Sequence, residues 1–131
     1  MIEAYFEHIE HILQEFPTIS SSFITKKFYN AKQGYLTGSI TFENGYRLEF
    51  IEVKDIDVNA KIKYRYQYMN ECNDIVFRYD NAPHHRNIST FPHHKHIQGE
   101  IIASSEPTLF DVLLEIAQQD RFVTVNGEGF S

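Results

Sequence analysis

Five of the chain's seven histidines lie within thirteen residues, from His84 to His96. The segment that holds them, residues 81–96, reads NAPHHRNISTFPHHKH and contains no acidic residue, although the chain has a formal net charge of −6. The unperturbed pKa of histidine lets it act as both acid and base near neutral pH. Acid–base chemistry is therefore the first function to consider for this segment.

The residues on either side of this segment suggest how it is placed. The stretch IVFRYD, residues 75–80, is typical of a strand, which puts Arg78 and Asp80 on one face and Tyr79 on the other. If residues 93–96 are also extended, His94 and His96 share one face, while His93 and Lys95 take the opposite face. We expect the intervening loop to bring its histidines back towards Arg78 and Asp80.

These residue types suit the cleavage of RNA without a metal ion or other cofactor. One group must remove the proton of the 2′-hydroxyl, another must protonate the leaving 5′-oxygen, and cations must stabilise the phosphate. His94 and His84 are the preferred base and acid, His96 is an orienting group or alternate, Asp80 orients an imidazole, and Tyr79 stacks or hydrogen-bonds. The candidate phosphate-binding residues in this region are Arg78, His85, Arg86, His93 and Lys95.

A second cationic feature precedes this region. In KIKYRYQYM, residues 61–69, the side chains of Lys61, Lys63 and Arg65 alternate with Ile62 and three tyrosines. This period-two pattern predicts a strand with a cationic face that follows a phosphate backbone and tyrosines available for base stacking. A solvent-exposed face without a ligand is an equal alternative for this strand.

Three other interpretations of the histidine segment stay open. His94 and His96, with His84 or His85, would make a three-ligand site of a metal-dependent hydrolase. The segment would also suit a non-catalytic binding module that docks a protein partner or a phosphate-bearing ligand. A solvated loop whose polar residues satisfy one another is the third.

The remaining sequence predicts a single α+β domain over residues 1–131. Helical spacing of apolar residues indicates helices at 2–15 and at 107–119, the second capped by Ser105 or Glu106. Between them, period-two patterns predict a meander of about five antiparallel strands. The same patterning favours a short edge strand in residues 97–104 and a last one at 121–125. Residues 126–131 resemble a frayed tail.

Composition restricts the class of protein. With 42% hydrophobic and 15% aromatic residues, the 131-residue chain has enough apolar surface for one core. The acidic balance disfavours binding of nucleic acid through bulk charge but allows a local cationic site. A lone cysteine, Cys72, excludes an internal disulfide. Without a signal peptide or an apolar run of membrane-spanning length, we expect a cytoplasmic protein.

The runs FRYDNAPHH and TFPHHKH, followed by a short C-terminal helix, resemble the TumE family of small prokaryotic toxin–antitoxin proteins. The residues that carry the resemblance are Arg78, Tyr79, Asp80, Asn81, Pro83, His84, Phe91, Pro92, His93, His94, Lys95 and His96. The resemblance implies a toxin that is neutralised by an antitoxin encoded by an adjacent gene. An RNA substrate is the partner that the residues themselves favour, and a homodimer is compatible with the sequence.

Overall fold

The computed structural model describes the backbone of residues 1–129 and the side chains of residues 1–119. Two helices flank seven strands in chain order. They are α1 (Ile2–Leu13), β1 (Ile19–Phe28), β2 (Gln33–Phe42), β3 (Arg47–Asp55), β4 (Lys63–Met69), β5 (Ile75–Asp80), β6 (His94–Ile97), β7 (Glu100–Ala103) and α2 (Leu109–Gly129). The predicted α+β class, the antiparallel meander and both helices are confirmed.

Each strand pairs antiparallel with its neighbour in sequence, so the sheet order is the chain order. The described residues form seven strands rather than about five, because the histidine segment ends in a further strand, β6, and the short edge strand expected in residues 97–104 follows it as β7. A tight turn at Gln98 and Gly99, both with positive φ, separates β6 from β7. A glycine tolerates this conformation without steric cost, which allows the chain to reverse within two residues.

Both helices cover the same face of the sheet. Burial alternates strictly along β2 and β3, which is the signature of a sheet with one packed face. The core between this face and the helices contains Ile2, Phe6 and Ile9 of α1 and Leu109, Leu113 and Ile116 of α2, packed with strand residues that include Leu36, Ile40, Leu48, Phe50 and Phe77. The opposite face, here called the open face, carries no helix among the described residues.

The tyrosines of β4 belong to the core. Tyr64, Tyr66 and Tyr68 are at most 1% exposed, so the prediction that they stack on bases is wrong. The prediction that Lys61 lies on this strand is also wrong, because β4 begins only at Lys63. The buried Lys61 ammonium donates to the Glu106 carboxylate and to the Pro107 carbonyl, at 3.3 and 2.7 Å. The cationic strand face is therefore reduced to Lys63 and Arg65.

The second helix starts later and ends later than the sequence predicts. Thr108 is its cap: the Thr108 hydroxyl accepts from the Asp111 N–H, and the Asp111 carboxylate accepts from the Thr108 N–H. Helix α2 then continues to Gly129, so the strand predicted at residues 121–125 is wrong. The predicted tail falls partly in α2 and partly on residues 130–131, which lie outside the described residues. No helix in the described part of the chain is long and apolar enough to cross a membrane.

Candidate active site

The open face of β5 and β6 carries two aligned pairs of polar side chains. The antiparallel register places Arg78 opposite His96 and Asp80 opposite His94. Because side chains alternate along each strand, these four residues point to the same side of the sheet. The expectation that His94 and His96 share a face with Arg78 and Asp80 agrees with this arrangement.

Asp80 and His94 form a buried pair at the centre of this group. The Nε2 atom of His94 lies 2.9 Å from Asp80 Oδ1, and the two side chains are only 2% and 9% exposed. The other ring nitrogen of His94, Nδ1, lies 2.9 Å from the Pro92 carbonyl oxygen. Both nitrogens face acceptors, so each contact is a hydrogen bond when that nitrogen carries the hydrogen.

The Nε2 atom of His96 faces a hydrogen-bond donor, whereas both ring nitrogens of His94 face acceptors. Arg78 Nη2 donates to His96 Nε2 over 3.1 Å, so this nitrogen carries a lone pair and the His96 ring is neutral. Burial, aided by the nearby Arg78 charge, lowers the pKa of His96 from its ordinary value of 6.5. Arg78 also donates from Nε to Asp80 Oδ2 over 3.1 Å, which ties the guanidinium to both partners.

The loop between β5 and β6, residues 81–93, folds back over the histidines. His85 adopts a φ of +59°, and its ring centroid lies 5.2 Å from that of His94 and 5.9 Å from that of His96. The His84 ring is 6.3 Å from His85, at the outer side of the group. The Ala82 N–H donates to Asp80 Oδ1, so the loop is anchored on the same carboxylate. We call His85, His94 and His96 the histidine cluster.

A cavity of about 360 Å³ opens beside Arg78 and Asp80 on the same face. Its lining includes His84 and the exposed cations Lys63 and Arg65 of β4, and Arg65 pairs in register with Asp80. The concentration of positive charge around this concave space creates a local field that favours an anionic ligand, even though the whole chain is acidic.

Three of the predicted site residues lie on the helix-covered face instead. Lys95 Nζ contacts Glu115 Oε2 at 2.7 Å, and the Tyr79 hydroxyl donates to Glu115 Oε1 at 2.5 Å. His93 stacks on Tyr64 and contacts its hydroxyl at 2.9 Å. The structure therefore does not bring Lys95, Tyr79 and His93 to the candidate site.

Two residues remain to be placed: Arg86, which the sequence predicted for the site, and Glu115, which it did not. The Arg86 guanidinium lies over the ring of Phe91, at 5.6 Å, rather than against the histidine cluster. Glu115 has no counterpart in the sequence prediction, yet it binds two of the predicted residues on the helix side. Its only signal in the sequence is an acidic position among the apolar residues of the C-terminal helix.

The comparisons with known proteins support the resemblance carried by these residues. A family model described as Toxin TumE matches residues 9–120, which is most of the chain. The chain belongs to the TumE toxin family. Membership makes the chain a toxin component of a toxin–antitoxin module and implies a cognate antitoxin as partner. Comparison with curated proteins and with solved structures found no match.

The TumE match covers every residue of the candidate site, from Lys63 on β4 to His96 on β6. Within this region, one ring nitrogen from each member of the histidine cluster lies within 4.8 Å of those of the other two. The same three side chains are thus close enough to hold one cation.

Proposed function

We propose that the chain is a metal-independent endoribonuclease, and that RNA cleavage is the toxic activity of this TumE family member. The observation that carries the proposal is the Arg78–His96 contact at the edge of a cationic cavity. A guanidinium is suited to binding phosphate, and a neutral imidazole is suited to accepting a proton.

Substrate binding would couple these two groups. When the Arg78 guanidinium binds the scissile phosphate, it releases Nε2 of His96, which then has a free lone pair. The 2′-hydroxyl transfers its proton to this nitrogen as its oxygen attacks phosphorus. The bond from phosphorus to the 5′-oxygen breaks, giving a 2′,3′-cyclic phosphate and a free 5′-hydroxyl. Lys63 and Arg65 hold the neighbouring phosphates.

The leaving 5′-oxygen needs a proton, and His84 is the histidine that lines the cavity. His94 is too buried to meet the substrate, at 2% exposure, so we propose that it is a positioning residue instead of the base. Its contact with Asp80 fixes the carboxylate that in turn holds Arg78. Relative to the expectation from the sequence, the proposed base moves from His94 to His96.

The test is incubation of the purified protein with a single-stranded RNA oligonucleotide in chelator. We expect cleavage to products that end in a 2′,3′-cyclic phosphate, and no cleavage of the matching DNA, which lacks the 2′-hydroxyl. His96→Ala and His84→Ala should each slow cleavage by about 10²-fold or more, the range of general acid–base catalysis. The same two variants should lose growth inhibition when expressed without antitoxin.

His93→Ala is the matched control, because His93 is a neighbouring histidine on the helix-covered face. It should cleave RNA at close to the unmodified rate. Unchanged cleavage by the His84→Ala, His96→Ala double variant would contradict the proposal. Cleavage that requires a divalent metal would favour the metal-hydrolase alternative, and a folded protein that binds RNA without cleaving it would favour the binding module.

A further inference from the structure

The ring nitrogens of the histidine cluster are only slightly farther apart than the ligand nitrogens of a zinc site. Zinc binds imidazole nitrogen at about 2.0–2.1 Å, so neighbouring nitrogens of a tetrahedral site are roughly 3.4 Å apart. The three cluster nitrogens all lie within 4.8 Å of one another, so they would have to approach by at most about 1.4 Å. His94 and His96 are held on β6, whereas His85 is exposed on the loop, so His85 is the side chain that moves.

The hydrogen bonds select the ligand atoms. The Pro92 carbonyl accepts from Nδ1 of His94, which leaves Nε2 as the nitrogen available to a cation. Metal-bound histidines commonly donate their second N–H to a carbonyl or carboxylate in this way. Nε2 of His94 and Nε2 of His96 converge on the Asp80 carboxylate, at 2.9 and 3.5 Å. Three imidazoles and one carboxylate are a donor set that zinc accepts.

The Arg78 guanidinium already occupies this position, because it contacts both Asp80 and His96. A divalent ion bound by the cluster would displace Arg78 and take its place as the counter-charge of the buried Asp80 carboxylate, and any hydrogen on His94 Nε2 would be released to solvent. The exchange therefore leaves Asp80 with a compensating charge throughout.

We propose that His85, His94, His96 and Asp80 bind one zinc ion per chain, and that zinc bound there inhibits the toxin. The proposed binding is argued from the geometry of the cluster, whereas the inhibition rests on the proposed function. Zinc ligation consumes the lone pair of His96 that would accept the 2′-hydroxyl proton. It also moves Arg78 from the position in which it meets the phosphate.

The experiment measures zinc binding by isothermal titration of the metal-free full chain with zinc chloride, with the metal content checked after dialysis. We expect one zinc ion per chain for the unmodified protein. His85→Asn and His96→Ala should each weaken binding by at least about 100-fold, because each loses a direct ligand, whereas second-shell changes alone cost about 10–100-fold. Asparagine is chosen at residue 85 because it tolerates positive φ.

The double variant His8→Ala, His11→Ala is the matched control, because these exposed histidines lie three residues apart on α1. It should bind zinc like the unmodified chain. Loss of zinc in this control, an absence of stoichiometric binding, or unmodified affinity in His85→Asn would overturn the site. Circular dichroism of the metal-free variants confirms that each is folded.

RNA cleavage gives the second readout. We expect cleavage in chelator and its loss when one equivalent of zinc is added, whereas the rate that His85→Asn shows in chelator should not fall when zinc is added. Stoichiometric binding without inhibition would overturn the regulatory half of the proposal. Cleavage that appears only with zinc would overturn both the inhibition and the metal-independent mechanism. If no RNA is cleaved under either condition, the proposed function fails while the measured zinc stoichiometry still decides the site.

Discussion

Asp80 Oδ1 lies 2.9 Å from His94 Nε2, and Asp80 Oδ2 lies 3.1 Å from Arg78 Nε, so one buried carboxylate contacts side chains from two adjacent strands. It also accepts from the backbone of Ala82, at the start of the loop. Asp80 is thus the residue through which β5, β6 and the loop are joined at the candidate site.

Replacement of this carboxylate should be strongly destabilising. In Asp80→Asn, the Arg78 guanidinium and the buried His94 ring lose the carboxylate that both contact, so we expect the free energy of unfolding to fall by about 3 kcal/mol. Urea denaturation of both proteins at neutral pH measures the difference. Asp57→Asn is the control, since its pair with Lys32 is 2.9 Å long but more than half exposed on both sides, so its loss should leave the free energy of unfolding nearly unchanged. Similar losses in the two variants would contradict the role given to Asp80.

The lowered pKa of His96 predicts a pH dependence of stability. Because the folded state binds a proton at His96 less readily than the unfolded state, the unfolded state gains protons first as the pH falls below 6.5. The unmodified chain should therefore lose stability relative to His96→Gln between about pH 7 and about pH 5. Denaturation midpoints across this range provide the measurement. If the unmodified chain instead gained stability relative to His96→Gln as the pH falls, the folded state would favour the charged form of His96.

Removal of one cavity cation should change the salt dependence of binding. If Arg65 neutralises one phosphate, Arg65→Ala should reduce the slope of log Kd against log salt by about 0.7, the value for single strands. Fluorescence anisotropy with a 2′-O-methyl oligonucleotide, which cannot be cleaved, measures this slope. Lys27→Ala on β1 is the control, because Lys27 is exposed at the far edge of the sheet. An equal effect of both variants would indicate non-specific attraction instead of a cavity contact.

A buried polar group under the helices gives an independent prediction for the fold. Glu52 is 1% exposed and accepts hydrogen bonds from Tyr66, at 2.6 Å, and from Tyr5, at 2.5 Å. Burial and the nearby Glu52 carboxylate raise the pKa of both tyrosines, so both remain hydrogen-bond donors. Tyr66→Phe should cost about 2 kcal/mol, as expected for a hydrogen bond to a charged group.

Tyr29→Phe is the control for Tyr66→Phe, because Tyr29 is 57% exposed. It should change the free energy of unfolding by no more than about 0.5 kcal/mol. Chemical denaturation with tyrosine fluorescence compares the two variants. A loss for Tyr66→Phe as small as that of the control would mean that water, or another donor, replaces the missing hydroxyl.

Side-chain alternation made much of the candidate site predictable. Two extended segments that each place residues i and i+2 on one face were enough to expect Arg78 and Asp80 near His94 and His96. The same rule placed His93 and Lys95 on the other face. It did not reveal that this face is covered by α2, because the Lys95–Glu115 contact joins residues twenty positions apart in different elements.

Errors at the ends of elements have local physical causes. Lys61 fits the alternation of the cationic strand, but the strand begins two residues later, and Glu106 of the distant segment before α2 binds Lys61. Residues 121–125, RFVTV, have strong strand propensity but lie in α2. Intrinsic propensity is a weak preference that neighbouring structure readily overrides. Nor does the sequence reveal that His94 is buried, since its burial depends on how the loop folds back.

The loop between β5 and β6 has a consequence for the order of events during synthesis. Asp80 is made well before His94 and His96, and it acquires these partners only when β6 has been translated and has paired with β5. A ribosome-bound chain that ends within the loop has no histidine cluster and only part of the candidate site. The site would therefore form only after β6 has been translated, when the first five strands of the sheet already exist.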